Sequence, residues 1–214
     1  MVEGQLRPNK VTDEAILDAF LTVPRERFVP AALRGNAYVD DALPLGKGRT
    51  LMEPMVLARL LQTATIGPAD KVLEIGCATG YATCILARIA GKVTALESDP
   101  RLADAARARL AEQGAANAAI VEGKLADGWP QGGPYDVILV CGAALGTIPP
   151  AIAEQLAEGG RLVGVVIAET GGLGAGLGEA MLMTRAEGVL SSRPIFDAGG
   201  AVLPGLARAP SFVF

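Results

Sequence analysis

Short apolar runs alternate with amphipathic ones from residue 71 onward, and no other feature of the chain restricts its fold as much. KVLEIG (71–76), KVTALES (92–98), AAIVEG (118–123), YDVILV (135–140) and RLVGVV (161–166) read as strands, while 80–90, 100–113 and 150–158 carry helical spacing. Strands that are apolar on both faces must be covered on both faces, and crossover helices supply that cover when the strands run parallel. The pattern predicts an α/β chain with a doubly wound, mostly parallel sheet. Two further runs, EAMLMTRAEG (179–188) and VLSSRPIF (189–196), are placed to finish that sheet as an antiparallel pair. The piece GGLGAGLG (171–178) before them has the glycine density of a phosphate loop but no Lys-Ser/Thr, so it reads as a flexible connection.

Upstream the organisation differs. Ala15, Ile16, Ala19 and Phe20 recur at helical spacing behind the capping-type sequence Thr12-Asp13-Glu14. From Pro24 to Gly48, prolines and glycines punctuate a stretch without period, which reads as an ordered loop with a short helix near Ala31-Leu33. Loops of this length tend to carry function. After Pro54, the residues Val56, Leu57, Leu60 and Leu61 share one helical face. A helical and loop extension, residues 1–65, is thus expected before a sheet unit, residues 66–214. With 50% hydrophobic residues in 214, the chain can bury a core without staples.

Composition removes several function classes. A net charge of -4 and a pI near 5.0 leave no basic surplus for phosphates, so nucleic acid is not an expected partner. The chain has no histidine, which eliminates imidazole bases, His-based triads and every His-containing zinc site. Cys77, Cys84 and Cys141 are odd in number and form no C-x-x-C, so neither a disulfide framework nor a metal knuckle is encoded. No metal is expected, and a reduced, cytoplasmic compartment fits. The first residues, MVEGQLRPNKVTDE, lack an apolar core, and no uncharged apolar run reaches the ~18 residues of a membrane span. The expectation is a soluble chain with no membrane partner.

The chemistry concentrates where the first strand meets its helix. In Glu74-Ile75-Gly76-Cys77-Ala78-Thr79-Gly80-Tyr81, Gly76 and Gly80 allow a tight turn and a close approach of backbone to a ligand at the carboxyl edge of the sheet, where open α/β sheets bind ligands. The spacing is G-x-x-x-G rather than the G-x-G-x-x-G of dinucleotide sites, which disfavours a dehydrogenase. Glu97 closes the second strand, and an acidic side chain there can accept both hydroxyls of a ribose. Together these point to a nucleoside without a pyrophosphate. Cys77 reads as a small apolar filler, since no base is present to activate it.

The combination E-x-G-x-x-x-G with an acidic residue closing strand two resembles the S-adenosylmethionine site of class I methyltransferases. Further residues narrow the likeness: Arg27-Phe28-Val29-Pro30, Ala37-Tyr38-Val39-Asp40, Leu43 to Leu51, Gly128-Trp129-Pro130, Tyr135-Asp136-Val137-Ile138 and Leu156 to Val163. In that order they resemble the protein-L-isoaspartate O-methyltransferase family over about residues 25–166. The resemblance implies a Rossmann-like sheet of class I methyltransferase type. It also implies S-adenosyl-L-methionine as cofactor, and as partner a protein or peptide whose isoaspartyl carboxylates are methylated for repair. Carried onto this chain, it places the cofactor on Glu74, Gly76, Cys77, Gly80, Glu97, Gly123 and Lys124, and the acceptor at Thr50, Met52 and Glu53, in a site shaped by the extension 1–65.

Three departures accompany the likeness. Met52 stands where the family has a serine, with Glu53 after it; Gly123-Lys124-Leu125 replaces a Gly-Asp-Gly whose aspartate lies near the adenine; and the family's C-terminal edge segment is not recognisable in residues 203–214. A thioether orients no carboxylate, and an inward Glu53 suits an amine or hydroxyl acceptor better. Thr50 is then the expected acceptor-side hydroxyl, and Arg49 reads either as a solvated cation or as an attraction for an anionic acceptor. Methyl transfer from a sulfonium to an ionised carboxylate needs approach and desolvation rather than a base, so a His-free chain can perform it. Three readings stay open: an isoaspartyl methyltransferase, a relative retargeted to another acceptor such as a small molecule, and a non-catalytic cofactor binder.

Overall fold

The computed structural model describes residues 1–168 and 177–207. Its centre is a sheet in the order β5-β4-β3-β6-β7-β8-β9, formed by β3 (Lys71–Ile75), β4 (Lys92–Glu97), β5 (Ala118–Glu122), β6 (Tyr135–Leu145), β7 (Leu156–Ile167), β8 (Leu177–Ala186) and β9 (Val189–Gly199). The first five of these pair in parallel, and β8 and β9 complete the sheet antiparallel. This is the doubly wound arrangement that the alternating runs predict. Val72, Leu73 and Ile75 on β3 are wholly buried, as a central strand covered on both faces requires.

Local chemistry sets the helix ends. Asp13 caps α1 (Glu14–Thr22) by accepting from the backbone N–H of Ala15 at 2.9 Å and Ile16 at 3.2 Å. Pro54 opens α2 (Pro54–Ala64), and α3 (Tyr81–Ile89) follows the turn after β3. For α4 (Pro100–Gln113), Asp99 is the cap and Gly114 ends the helix in the left-handed region. Between β8 and β9, Glu187 and Gly188 both have positive φ, the geometry of a two-residue hairpin turn.

The long irregular stretch is more structured than expected. Beyond a short 3₁₀ helix at Ala31–Asn36, it contains another at Arg25–Phe28 and a hairpin of β1 (Leu43–Gly46) with β2 (Arg49–Leu51). The residues before α1 also form a π-helical turn, Val2–Leu6, that buries Val2 and Leu6. The extension shares one apolar cluster with the sheet, from Val2 and Phe20 through Leu57 to Val72 and Val163.

The expected helix at 150–158 is a single turn, α5 (Pro150–Ala153), and β7 already begins at Leu156. Gln155 explains the early stop. Its amide donates to Asp127 O at 2.8 Å and Ala151 O at 2.7 Å, and its carbonyl accepts from Trp129 N at 2.8 Å. Those tertiary partners, and the bond from Tyr135 N to Gln155 O, place the following residue in the sheet. A bulge containing Gly159 at φ +74° then restores register by Val137↔Arg161. Of the expected connection at 171–178, residues 171–176 lie outside the described residues, and Leu177-Gly178 open β8.

An eighth strand, β10 (Val202–Ala207), pairs in parallel with the end of β6, through Val202↔Ala143 and Ala207↔Leu145 with a register shift between them. No sequence pattern announced it. Among the described residues, no helix is long and apolar enough to cross a membrane.

Candidate active site

The turn after β3 is built by its backbone. Gly76 and Ala78 sit at φ +82° and +51°, and Gly80 enters α3 at φ +86°. The N–H groups of Gly76 and Cys77 both donate to Leu96 O, which ties the turn to β4. A Cβ at Gly80 would lie 3.1 Å from Ala106 Cβ, so this glycine also lets α3 and α4 pack closely. Cys77 is buried, and burial pushes its thiol well up, as befits a filler rather than a nucleophile.

Two glutamates flank this turn, and both are fully buried. Glu74 accepts from Thr83 Oγ1 at 2.6 Å through one oxygen, and its other oxygen has no partner among the described residues. Desolvation raises its carboxyl to about 7. Glu97 lies at the carboxyl edge, where the sequence places it, and accepts from the backbone N–H of Ala78 at 2.8 Å, Ser98 at 2.7 Å and Asp99 at 3.0 Å.

Arg49 then corrects an expectation. Rather than a solvated cation, it is 4% exposed and grips Glu97 with both terminal nitrogens, Nη2 to Oε2 at 2.9 Å. Although burial opposes it, this pair holds the Glu97 carboxyl below its ordinary value. Arg49 and Leu51 alternate with Thr50 on the short strand β2 and so face inward together.

The residues expected on the acceptor side, Thr50, Met52 and Glu53, stand at the junction of the hairpin and α2. Thr50 is half-buried in β2, paired with Pro44. Met52 is buried and packs in the apolar cluster, while its carbonyl accepts from Arg25 Nη2 at 2.7 Å. Glu53 is the residue before α2, half-buried, and its carboxyl is raised first by desolvation and then by Asp40 and Asp41. Arg25, which sequence reasoning did not single out, is wholly buried. Its Nε donates to Ala37 O at 2.8 Å, and its guanidinium lies 4.9 Å from the centre of the Tyr81 ring. It ties the loop around Ala37 to Met52, just ahead of α2, and packs both against α3.

On the far side of the edge, Gly123 N donates to Glu97 O at 3.1 Å, and Lys124 is exposed at the start of a 3₁₀ turn, Leu125–Asp127. The donor and acceptor set suits a nucleoside: a tight glycine turn beside a carboxylate held at the strand end. The space itself is filled by the chain, because a Cβ built on Gly76 would meet Leu203 Cδ1 at 2.9 Å and Arg49 Nη2 at 3.3 Å.

Comparison with known proteins decides the family. The family described as Protein-L-isoaspartate(D-aspartate) O-methyltransferase matches residues 1–171. The chain belongs to this family. A protein-L-isoaspartate O-methyltransferase of Koribacter versatilis is 44% identical over 163 residues, covering 76% of this chain and 73% of the relative. One from Methylorubrum extorquens is 46% identical over 166 residues, covering 76% and 71%. A solved protein-L-isoaspartate O-methyltransferase superposes with a TM-score of 0.81 at 25% identity, over 97% of this chain and 67% of the other. A family structure from Plasmodium falciparum, solved with S-adenosyl-L-homocysteine, shares the fold with a TM-score of 0.78 at 18% identity, over 94% and 95%. The cofactor of the family is S-adenosylmethionine, and the class I fold expected from the turn is the fold found.

Proposed function

We propose that this family member is an S-adenosylmethionine-dependent carboxyl methyltransferase acting on isoaspartyl residues of a protein or peptide. The observation that carries the reading is the family match over residues 1–171, which spans both the Gly76–Gly80 turn with Glu97 and the loop from Arg49 to Glu53. When bound, the cofactor supplies an electrophilic methyl on a sulfonium. Gly76, Cys77 and Gly80 would present backbone to it, Glu97 would accept the ribose hydroxyls in place of its bonds to Arg49, Glu74 lies behind the turn, and Gly123 and Lys124 would border the adenine. Thr50 donates to the acceptor carboxylate, which is already a nucleophile and needs no base. Burial and the neighbouring Asp40 and Asp41 raise the Glu53 carboxyl, which makes negative charge costlier there beside an anionic acceptor. Three free cysteines suit a reduced, cytoplasmic setting.

A second reading, a retargeted acceptor such as a small amine, is favoured by Glu53 with Asp40 and Asp41 nearby, an acidic mouth that attracts cations. One assay separates the two. Labelled S-adenosylmethionine is offered with an isoaspartyl peptide and its aspartyl twin, and base-labile methyl ester is measured. Ester on the isoaspartyl peptide alone supports the first reading. Absence of ester, with turnover of an amine acceptor, replaces it with the second.

A further inference from the structure

The strand β10 crosses the edge of the sheet where the cofactor reading puts the ligand. It starts beside β6, where Ala143 N donates to Ala201 O at 2.9 Å, and reaches the turn after β5, where a Cβ on Gly205 would lie 3.6 Å from Ala126 Cβ. Both ends of β10 stay on β6, through Val202↔Ala143 and Ala207↔Leu145, while its middle bows out, with Leu203 against the Gly76 turn and Gly205 against the 3₁₀ turn after β5. Leu203 and Leu206 are 4% and 1% exposed and join the apolar cluster of Ile75, Leu96 and Leu125. Leu203 fits so closely that a Cβ on Gly142 would stand 2.6 Å from it, and one on Gly76 2.9 Å. From the opposite side Arg49 caps Glu97 with two charge-assisted bonds. A nucleoside lying on the Gly76 turn, with its ribose on Glu97, needs the volume that these two side chains hold.

We infer that β10, through Leu203, and the β1–β2 hairpin, through Arg49, form a strap that closes the cofactor cleft, so that S-adenosylmethionine enters as Leu203 leaves Gly76 and Arg49 leaves Glu97. This rests on the cofactor reading above. The strap is built to open. Among the described residues β10 pairs with the end of β6 alone, at two register points, whereas β8 and β9 pair along ten residues from Leu177 to Ala186 with one bulge, so β10 can detach without breaking the main sheet. Ribose hydroxyls replace the donors that Glu97 loses. Arg49, once released, is a cation beside Thr50, where a carboxylate acceptor needs one, so cofactor entry prepares the acceptor site.

Apparent affinity falls by the fraction of molecules that are open, so loosening the strap must tighten binding. Calorimetry with S-adenosylhomocysteine should give about tenfold tighter binding for Leu203→Ala, and a gain of the same sign for Arg49→Gln. On the unaltered full chain, hydrogen exchange of the backbone amides of residues 202, 203 and 205–207 should accelerate when S-adenosylhomocysteine is added. This second measurement stands even if a variant fails to fold. Binding by the variants alone also supports the strap. Binding that leaves exchange at 202–207 unchanged or slower, with no gain in Leu203→Ala, overturns it while sparing the cofactor reading. Failure of the folded wild type and both folded variants to bind overturns the cofactor reading and the strap together.

Discussion

The middle of β3 and the carboxyl edge of β4 each bury a glutamate completely, yet the surroundings act on the two carboxyls in opposite directions. Glu97 has a guanidinium and three backbone N–H donors, and they hold it in its charged form against desolvation. Glu74 has one threonine hydroxyl and no adjacent cation strong enough to offset its burial, so its carboxyl rises to about 7. Depth of burial is the same, and the partners decide the charge. The carboxylate at the sheet edge is kept ionised by its partners, whereas the one behind the turn, raised to about 7, is partly protonated at neutral pH.

The largest expected effect comes from removing the cation. Arg49→Ala strands Glu97 as a buried charge, and loss of one partner from such a pair costs about 3–5 kcal/mol. A urea titration of the ligand-free chain at pH 7 should show it as a lower midpoint. A loss below about 1 kcal/mol would mean that the three backbone amides alone carry Glu97, and the contrast with Glu74 would then lie in the amides rather than in Arg49.

Next in size is the pH dependence of Glu74. Its carboxyl titrates near 4.5 when unfolded and at about 7 when folded. Between those values the folded chain binds more protons than the unfolded one, so this group's contribution makes stability fall as pH rises from about 4.5 to 7, by about 3 kcal/mol in all. Glu97 has the opposite sign, because its lowered carboxyl adds stability above its unfolded value and loses it as pH falls through the folded one. Denaturation curves at pH 5 and 8 should therefore show Glu74→Gln gaining over wild type at pH 8 and little at pH 5. An equal gain at both pH values would show that Glu74 is already ionised in the folded chain.

The same contrast explains what could be read in the sequence. Strand period, the glycine turn and Glu97 follow from neighbours within a few residues, and each was legible. The partner of Glu97 was not, because Arg49 lies 48 positions away in an extension whose short hairpin has almost no period. The same holds for Arg25, whose acceptors Ala37 O and Met52 O are 12 and 27 residues distant. The early start of β7 depends on Gln155 meeting Asp127 and Trp129, again a tertiary choice that overrode a helical run. β10 escaped for a related reason: Val202 to Ala207 has Pro204 and Gly205 inside it, and only the glycine faces at Gly76 and Gly142 make room for Leu203.

The smallest expected effect is at Lys124, the one candidate charge in the site that the fold leaves in water. Its backbone starts the 3₁₀ turn Leu125–Asp127 by accepting from Asp127 N at 3.2 Å, and its side chain caps nothing. An exposed charge interacts through high dielectric, so changing its sign shifts energies by about 0.5 kcal/mol or less. Lys124→Asp restores the residue type that the family resemblance would place beside the adenine. It should nevertheless change S-adenosylhomocysteine affinity by no more than about twofold, the equivalent of that energy. Calorimetry on the variant checks this. A tenfold gain would mean that position 124 turns inward when ligand binds, so that its side chain leaves water and acts under the same rule as Glu97: buried beside a ligand, its charge decides.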